Sequence, residues 1–325
     1  MTPDFQILAD RQDVTQAIRT RFISLTITDE AGWQSDNLEI KIDDRGSAVE
    51  MPRHGTQLDV RLGYKESGLV RMGIYTVDEV SLEGSPDTMI IRARAANFRK
   101  SFKEQKTRAW ENISLDALVK TIAKEHELEP VVSETLAAKV INHIDQTDES
   151  DLHFLTRIAK EHGAISKPVD NRLIFVPRGE ARTATSKPMP VFTLSKPDLS
   201  RYSFSFADRG KYEAVIAHWH NSNTGQQVPV KVGNQDARPI FTLKGLHPDA
   251  NAAEAAARAK LQALQRGQAT GNLTLPGRTG ITAEAKVKLK GIKDKVNGGW
   301  VVTRAEHSLS SSGLTTRLNI ETPNL

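Results

Sequence analysis

The chain contains no cysteine, which excludes disulfides, thiolate nucleophiles and cysteine-ligated metal centres together. It is poor in aromatic residues, at 6%, and has no long apolar run. Stretches such as Leu173–Val176 fall far short of the ~20 residues a helix needs to cross a bilayer. The first ten residues, MTPDFQILAD, carry neither a basic segment nor an apolar core, so no secretory signal is read there and synthesis is expected in the cytoplasm. Nor is there a large excess of one charge. With 44 basic against 40 acidic residues the formal charge is +4, and short interrupted groups such as Arg99, Lys100, Lys103, Lys106 and Arg108 argue only weakly for nucleic acid. The GxSxG, HExxH, P-loop and GxGxxG patterns are all missing, which leaves no local signature of a hydrolase, zinc peptidase or nucleotide site.

What is present suits a folded chain of two or three domains: 325 residues, 38% hydrophobic and 26% charged, against a prior of ~150 residues per domain. The first hundred residues are written in period two. Ile23, Leu25 and Ile27 alternate with polar neighbours, as do Leu38, Ile40 and Ile42, then Leu58, Val60, Leu62 and Tyr64, then Val70, Met72 and Ile74, and finally Met89 to Ala95. Such alternation marks half-buried strands, and turn residues such as Asp44-Arg45-Gly46 separate them. Residues 1–98 are therefore expected to form a small antiparallel β-barrel-like domain.

The period then changes. Leu115, Leu118, Val119, Ile122 and Ala123 form the stripe of an amphipathic helix, with Ser114 placed as its N-cap. A second helix is expected from Asp151 to His162, with Leu152, Leu155, Ile158 and Ala159 on one face, Ser150 as N-cap and Gly163 at its end. A short helix behind Ser133 spans Glu134–Val140, and Arg172–Pro177 reads as a strand. The pentapeptide IAKEH occurs at 122–126 and again at 158–162. A solenoid does not follow, because no third copy exists. Residues 99–178 are thus read as an α/β middle domain.

From 179 to 190 the chain is polar and aperiodic, the best candidate for a linker. Beyond it, Tyr202, Phe204 and Phe206 alternate with serines, and further strands continue to Ile320, with turns at Asn297-Gly298-Gly299 and Ser311-Ser312-Gly313. One segment of strong helix formers, residues 252–266, interrupts them. The fold class predicted is α+β and mainly β: two small antiparallel β-barrel-like modules, 1–98 and 191–325, around an α-rich middle domain, with a helix inserted in the second module.

Two constellations invite chemistry. His218-Trp219-His220 places two imidazoles on one side of a strand, but no third ligand stands at a recognisable spacing, so no metal is assigned. Asp145, Asp148, Glu149 and Asp151 crowd one short stretch. It lacks the glycine and closing glutamate of a calcium loop, and carboxylates with a serine just before a helix serve as caps and favour the positive end of its dipole. No catalytic, cofactor-binding or metal residue is predicted.

The stretch from Asp145 to Phe175, DQTDESDLHFLTRIAKEHGAISKPVDNRLIF, resembles the central segment of the phage late control gene D family, the hub proteins of contractile tails, and a similar segment occurs in the spike proteins of type VI secretion systems. The matching positions are Gln146, Glu149, Ser150, Asp151, Phe154, Leu155 and Arg157, with the strand ending Leu173-Ile174-Phe175. Gly55–Val80 is similar to the family's first barrel and Gly298–Thr322 to its closing hairpin. Nothing in the chain resembles the repetitive needle of the type VI spikes.

The resemblance implies a structural protein without cofactor or enzymatic activity. It implies two barrel-like domains per chain packed about an axis in a homotrimer, six similar barrels facing the hexameric tail tube and a three-fold side facing the central spike. The implied partners are this chain itself, the spike, the tube protein and other baseplate components, with no specific nucleic acid and no membrane insertion. Exposed turns such as Asp43–Gly46 and Val296–Gly299 are candidate contacts. The alternative from another class is a tail-associated cell-wall glycan hydrolase using carboxylates among Asp145–Asp151 as acid and base.

Overall fold

The computed structural model describes residues 1–32, 36–47, 49–95, 102, 104–169, 172–177, 190–206, 212–221, 224–265 and 269–322. Its contacts divide the chain into two compact units, each discontinuous in sequence. One comprises residues 1–98, 191–204 and 271–320, and the other 99–190, 205–270 and 321–325.

The first unit is built on thirteen strands of one hydrogen-bonded sheet. Seven come from the N-terminal region, ordered Phe22–Glu30, Asn37–Asp43, Thr88–Ala95, Gly68–Glu83, Gln57–Tyr64, Pro3–Ala9 and Gln12–Asp13. Six come from later in the chain, ordered Arg201–Phe206, Ala269–Pro276, Gly313–Glu321, Gly298–Ser310, Lys286–Lys290 and Val191–Ser195. The long strand Gly298–Ser310 joins the two sets by pairing antiparallel with Phe22–Glu30, Leu309 opposite Leu25 and His307 opposite Ile27.

The alternating residues fill the interior. Leu25, Ile27, Leu38, Ile40, Leu58, Val60, Leu62 and Met89 are buried in one cluster, to which Leu309 and Leu314 of the later strands also belong. At the same junction Gly277 leaves no room for a side chain: a Cβ there would lie 2.3 Å from Leu314 and 2.9 Å from the Tyr64 hydroxyl. Among the later strands one histidine is buried. His307 donates from Nε2 to the Ile281 carbonyl (3.1 Å) and accepts at Nδ1 from the Thr316 hydroxyl (2.9 Å). Burial pushes its pKa down, consistent with a neutral ring fixed in one tautomer.

This arrangement corrects the expectation of barrels. The strands follow an open path that does not close on itself, and the two β modules share one sheet. The physical reason is that period two identifies a strand's buried face and says nothing of which strand lies along either edge. The reading of 191–325 as one module also differs from the contacts, which place 205–270 with 99–190. Of the linker at 179–190, all but Pro190 lies outside the described residues.

The second unit contains most of the helix. With α1 (Thr15–Arg19) in the first unit, the others are α2 (Leu115–Glu125), α3 (Glu134–Ala137), α4 (Asp151–Glu161) and α5 (Ala250–Gln265). The strands Gln105–Ser114 and Val140–Ser150 pair antiparallel, Ser114 opposite Val140 and Gln105 opposite Ser150. Two three-stranded sheets complete the unit, one made of Ala164–Val169, Arg172–Pro177 and Glu129–Val132, the other of Gln226–Gly233, Ala214–Asn221 and Ile240–His247. On the second of these, α5 covers one face through Ala253, Ala257 and Leu261 against Val215 and Ala217.

Two local expectations change and a third gains detail. The helix behind Ser133 stops at Ala137, four residues on. The acidic stretch that leads into the Ser150 cap is the end of a strand, irregular between Gln146 and Glu149, where Asp148 adopts φ +46°. Leu152 is only half-buried, its place on the inward face taken by Phe154. The inserted helix is found as α5, and residues 266–268 lie outside the described set.

Candidate functional site

The site grows from a duplicated local pattern within the second unit. Each of the paired strands runs into a serine and then an eleven-residue helix. The Ser114 hydroxyl accepts from the Ala117 N–H (3.1 Å), and the Ser150 hydroxyl from the His153 N–H (3.3 Å). The two serines stand 36 positions apart, and so do the buried faces: Leu115, Leu118, Val119, Ile122 and Ala123 in α2, Asp151, Phe154, Leu155, Ile158 and Ala159 in α4. The repeated IAKEH closes both helices, with His126 and His162 as the C-cap residues. At one position the two copies differ in kind. Where α2 buries Leu115, α4 buries Asp151.

Asp151 has no exposed side-chain surface and accepts four hydrogen bonds. Its Oδ1 receives Arg108 (2.8 Å) and the Gln146 amide (2.8 Å), and its Oδ2 receives Lys106 Nζ (2.6 Å) and His126 Nε2 (2.8 Å). Lys106 and Arg108 lie two apart on a strand, so their side chains share one side. Both also bind Glu125, at 2.8 and 2.6 Å. Burial alone would raise the Asp151 pKa; the bonds from Lys106, Gln146 and His126 outweigh it and hold the group below the ordinary carboxylate value. Lys106 answers in the opposite sense: desolvation would lower its pKa, but Asp151 and Glu125 raise it.

The other motif residues surround this ion cluster. Gln146 is buried and donates also to the Glu149 carbonyl (2.8 Å), spanning the strand irregularity, and its Oε1 accepts from Arg108 (2.9 Å). Arg157 holds the Glu149 carboxylate (2.7 Å) and the Asp145 carbonyl (2.8 Å), and lies over the Phe154 ring, 5.3 Å from its centre. Phe154 is fully buried and stacks near Trp110, which in turn carries the Arg108 guanidinium on its face, at 4.5 Å. Leu155 lies in the core beside it. His126 stacks on buried Phe102 with ring centres 3.6 Å apart.

All seven motif positions thus meet in one place. Sequence reasoning missed Phe102, Lys106, Arg108, Trp110, Glu125 and His126. The one available signal was the Lys106/Arg108 alternation on a strand, which composition alone dismissed as a scattered basic group.

Ligand atoms of Glu125, His126 and Asp151 lie within 4.8 Å of one another, a spacing a metal ion could use. Lys106 and Arg108 already provide the positive charge there, and Asp151 has both oxygens engaged. Glu149, the nearest second carboxylate of the motif, is tied to Arg157. An acid–base pair needs one carboxyl held protonated and one free to act, and neither is in that condition. His218 and His220 lie on the face of their sheet opposite α5, half-buried and exposed respectively. Among the described residues they join no metal-capable cluster.

The fold and this ion cluster define a β-rich protein whose second unit is built around a buried carboxylate held by four donors. The profile of the phage tail baseplate hub family matches residues 55–313, and the chain belongs to that family. It is 34% identical to the probable baseplate hub proteins of Escherichia phages 186 and P2, over 99% of this chain and 93% of each relative. Its fold is similar to that of the 43 kDa tail protein of prophage MuSo2 from Shewanella oneidensis, with a TM-score of 0.75, 13% identity and 98% of both chains covered. It is also similar to a component of the Escherichia coli type VI secretion system, with a TM-score of 0.58, 10% identity, and 94% of this chain and 74% of the other covered. The protein is a baseplate hub component of a phage tail, a structural protein and not an enzyme. Nothing among these relatives supports the glycan-hydrolase alternative.

Proposed function

We propose that three copies of the chain form a ring that adapts the hexameric tail tube to the trimeric central spike, the chain being made in the host cytoplasm and ending in the baseplate. The observation that carries this reading is the make-up of the first unit, in which seven N-terminal and six later strands contribute two β halves from one chain. Three copies would present six such halves to six tube subunits, so the tube's symmetry can be met without six chains. Individually modest contacts repeated around a ring add up through multivalency. Gln146, Glu149, Ser150, Asp151, Phe154, Leu155 and Arg157 serve in this reading as the structural kernel of the middle domain. They hold a rigid body against which ring contacts are made.

Light scattering on the purified protein, alone and mixed with the spike protein of the same tail, tests the ring. A species of about 108 kDa, three times 35.9 kDa, is expected at least in the mixture. A monomer or dimer in both conditions would overturn the trimer.

A further inference from the structure

The chain's excess positive charge is confined to one place. Five of its 44 basic residues, and one of its 40 acidic residues, fall in Lys286–Lys295, leaving 39 of each in the rest of the sequence. The strand Lys286–Lys290 turns Val287 and Leu289 inward and leaves Lys286, Lys288 and Lys290 exposed on the other face, and Lys293 and Lys295 are exposed in the turn that follows. Alternate strand positions repeat every ~6.6–6.8 Å, so three ammonium groups stand in a row. Their strand neighbours carry no charge: Val191, Thr193 and Ser195 lie opposite Lys286, Lys288 and Lys290 on one strand, and Val301 and Gly299 lie opposite Lys286 and Lys288 on the other. A Cβ placed on Gly298 or Gly299 would meet nothing within 4 Å.

Elsewhere on the same sheet several outward cations are neutralised: Arg71 by Asp59, Arg92 by Glu39 and Glu79, Arg304 by Glu30 and Glu306, Arg317 by Glu306. None of the five lysines at 286–295 pairs with a carboxylate among the described residues. Among the described residues no ion pair offsets their mutual repulsion, and Asp294 is the one acidic residue within the segment.

We propose that this lysine row is a docking surface for an acidic protein face, in which carboxylates at alternate positions of a partner strand meet Lys286, Lys288 and Lys290 in register. Two observations favour protein over nucleic acid. The face as described has no aromatic ring on which a base could stack, and the cations are all lysines, point charges without the fork by which arginine grips phosphate. A strand carrying alternate Asp or Glu has the same repeat as the row. That the partner is another tail component rests on the hub reading; the surface itself does not.

The test uses the full-length protein and two probes of equal charge, poly-L-glutamate and duplex DNA, with binding followed by fluorescence anisotropy over a salt series. Poly-L-glutamate is expected to bind more tightly than DNA and to weaken as salt rises. The combined substitution Lys286→Gln, Lys288→Gln, Lys290→Gln should lower its affinity about tenfold, while the corresponding Lys→Arg triple restores it and shows that charge is what is read. If the glutamine triple fails to fold, Lys288→Gln alone is measured, with a smaller loss in the same direction expected. Tighter binding of DNA, or poly-L-glutamate binding unchanged by loss of the lysines, would overturn the proposal. Solution mass keeps the two readings apart: a trimer whose binding ignores the lysines defeats the surface alone, and a monomer that binds through them defeats the ring alone.

Discussion

A carboxylate with no exposed surface remains an anion only where donors replace the water it has lost, and Asp151 has four. Removing it leaves Lys106 and Arg108 side by side with Glu125 as their one shared counter-charge among the described residues. Asp151→Ala should therefore cost ~3–5 kcal/mol in urea unfolding. A loss below about 1 kcal/mol would mean that the donors find other partners. Acid should act in two stages. His162 is half-buried, its buried Nδ1 has no hydrogen-bond partner among the described residues, and desolvation, assisted by Lys139, pushes its pKa down from 6.5 to about 4. Because the folded-state value lies below the unfolded one, the unfolded chain takes the proton first. This stabilisation is complete above pH 6.5 and is lost as pH falls towards 4, on the order of 3 kcal/mol in all, with His307 acting in the same direction. Asp151, also lowered, contributes stability above its ordinary 3.8 and loses it only under more acid conditions. Denaturation midpoints measured from pH 7 to 4 should fall less steeply in His162→Gln, and an unaltered slope would assign the loss to other groups.

At the scale of the element, α2 and α4 were legible because their inward stripes are spelled out by spacing and their starts by serine. Ser150→Ala should cost ~1 kcal/mol, since the hydroxyl accepts the His153 N–H. Phe154→Ala, at a fully buried ring packed near Trp110, should cost ~3–5 kcal/mol. Thermal melts of both variants check the ranking, and an unchanged melt for Phe154→Ala would contradict its place in the core. What spacing did not reveal was the role of Asp151. A carboxylate at the first position of a helix is ordinarily read as favouring the dipole, and only the strand that brings Lys106 and Arg108 alongside makes its burial possible. Those partners are 43 and 45 residues away, beyond the reach of any local pattern. The strand irregularity that lets Gln146 and Glu149 both serve the cluster was hidden for the same reason: it is a property of a pair of strands and not of one.

For the whole molecule, the N-terminal strands do not stand alone. Phe22–Glu30 takes a partner from residues 298–310, and Leu309 and Leu314 complete the N-terminal core. A fragment of residues 1–98 should thus expose an unpaired edge and unfold without a cooperative transition or aggregate; calorimetry on the fragment beside the full chain decides this. Sequence gave the strands and their buried faces but drew its boundaries in chain order, and strand partnership is settled in space. The same distance between order and space bears on the duplicated strand–serine–helix units of the second unit. Two segments with matching caps, matching apolar stripes and the same closing pentapeptide are near-interchangeable pieces, and a folding chain that seats one in the other's place, or trades one with a neighbouring copy, loses little hydrophobic contact by the error. Asp151 breaks that degeneracy. In the seat occupied by Leu115 it would be a buried charge without donors, so the residue that anchors the ion cluster is also the key by which the correct arrangement is told from its near twin.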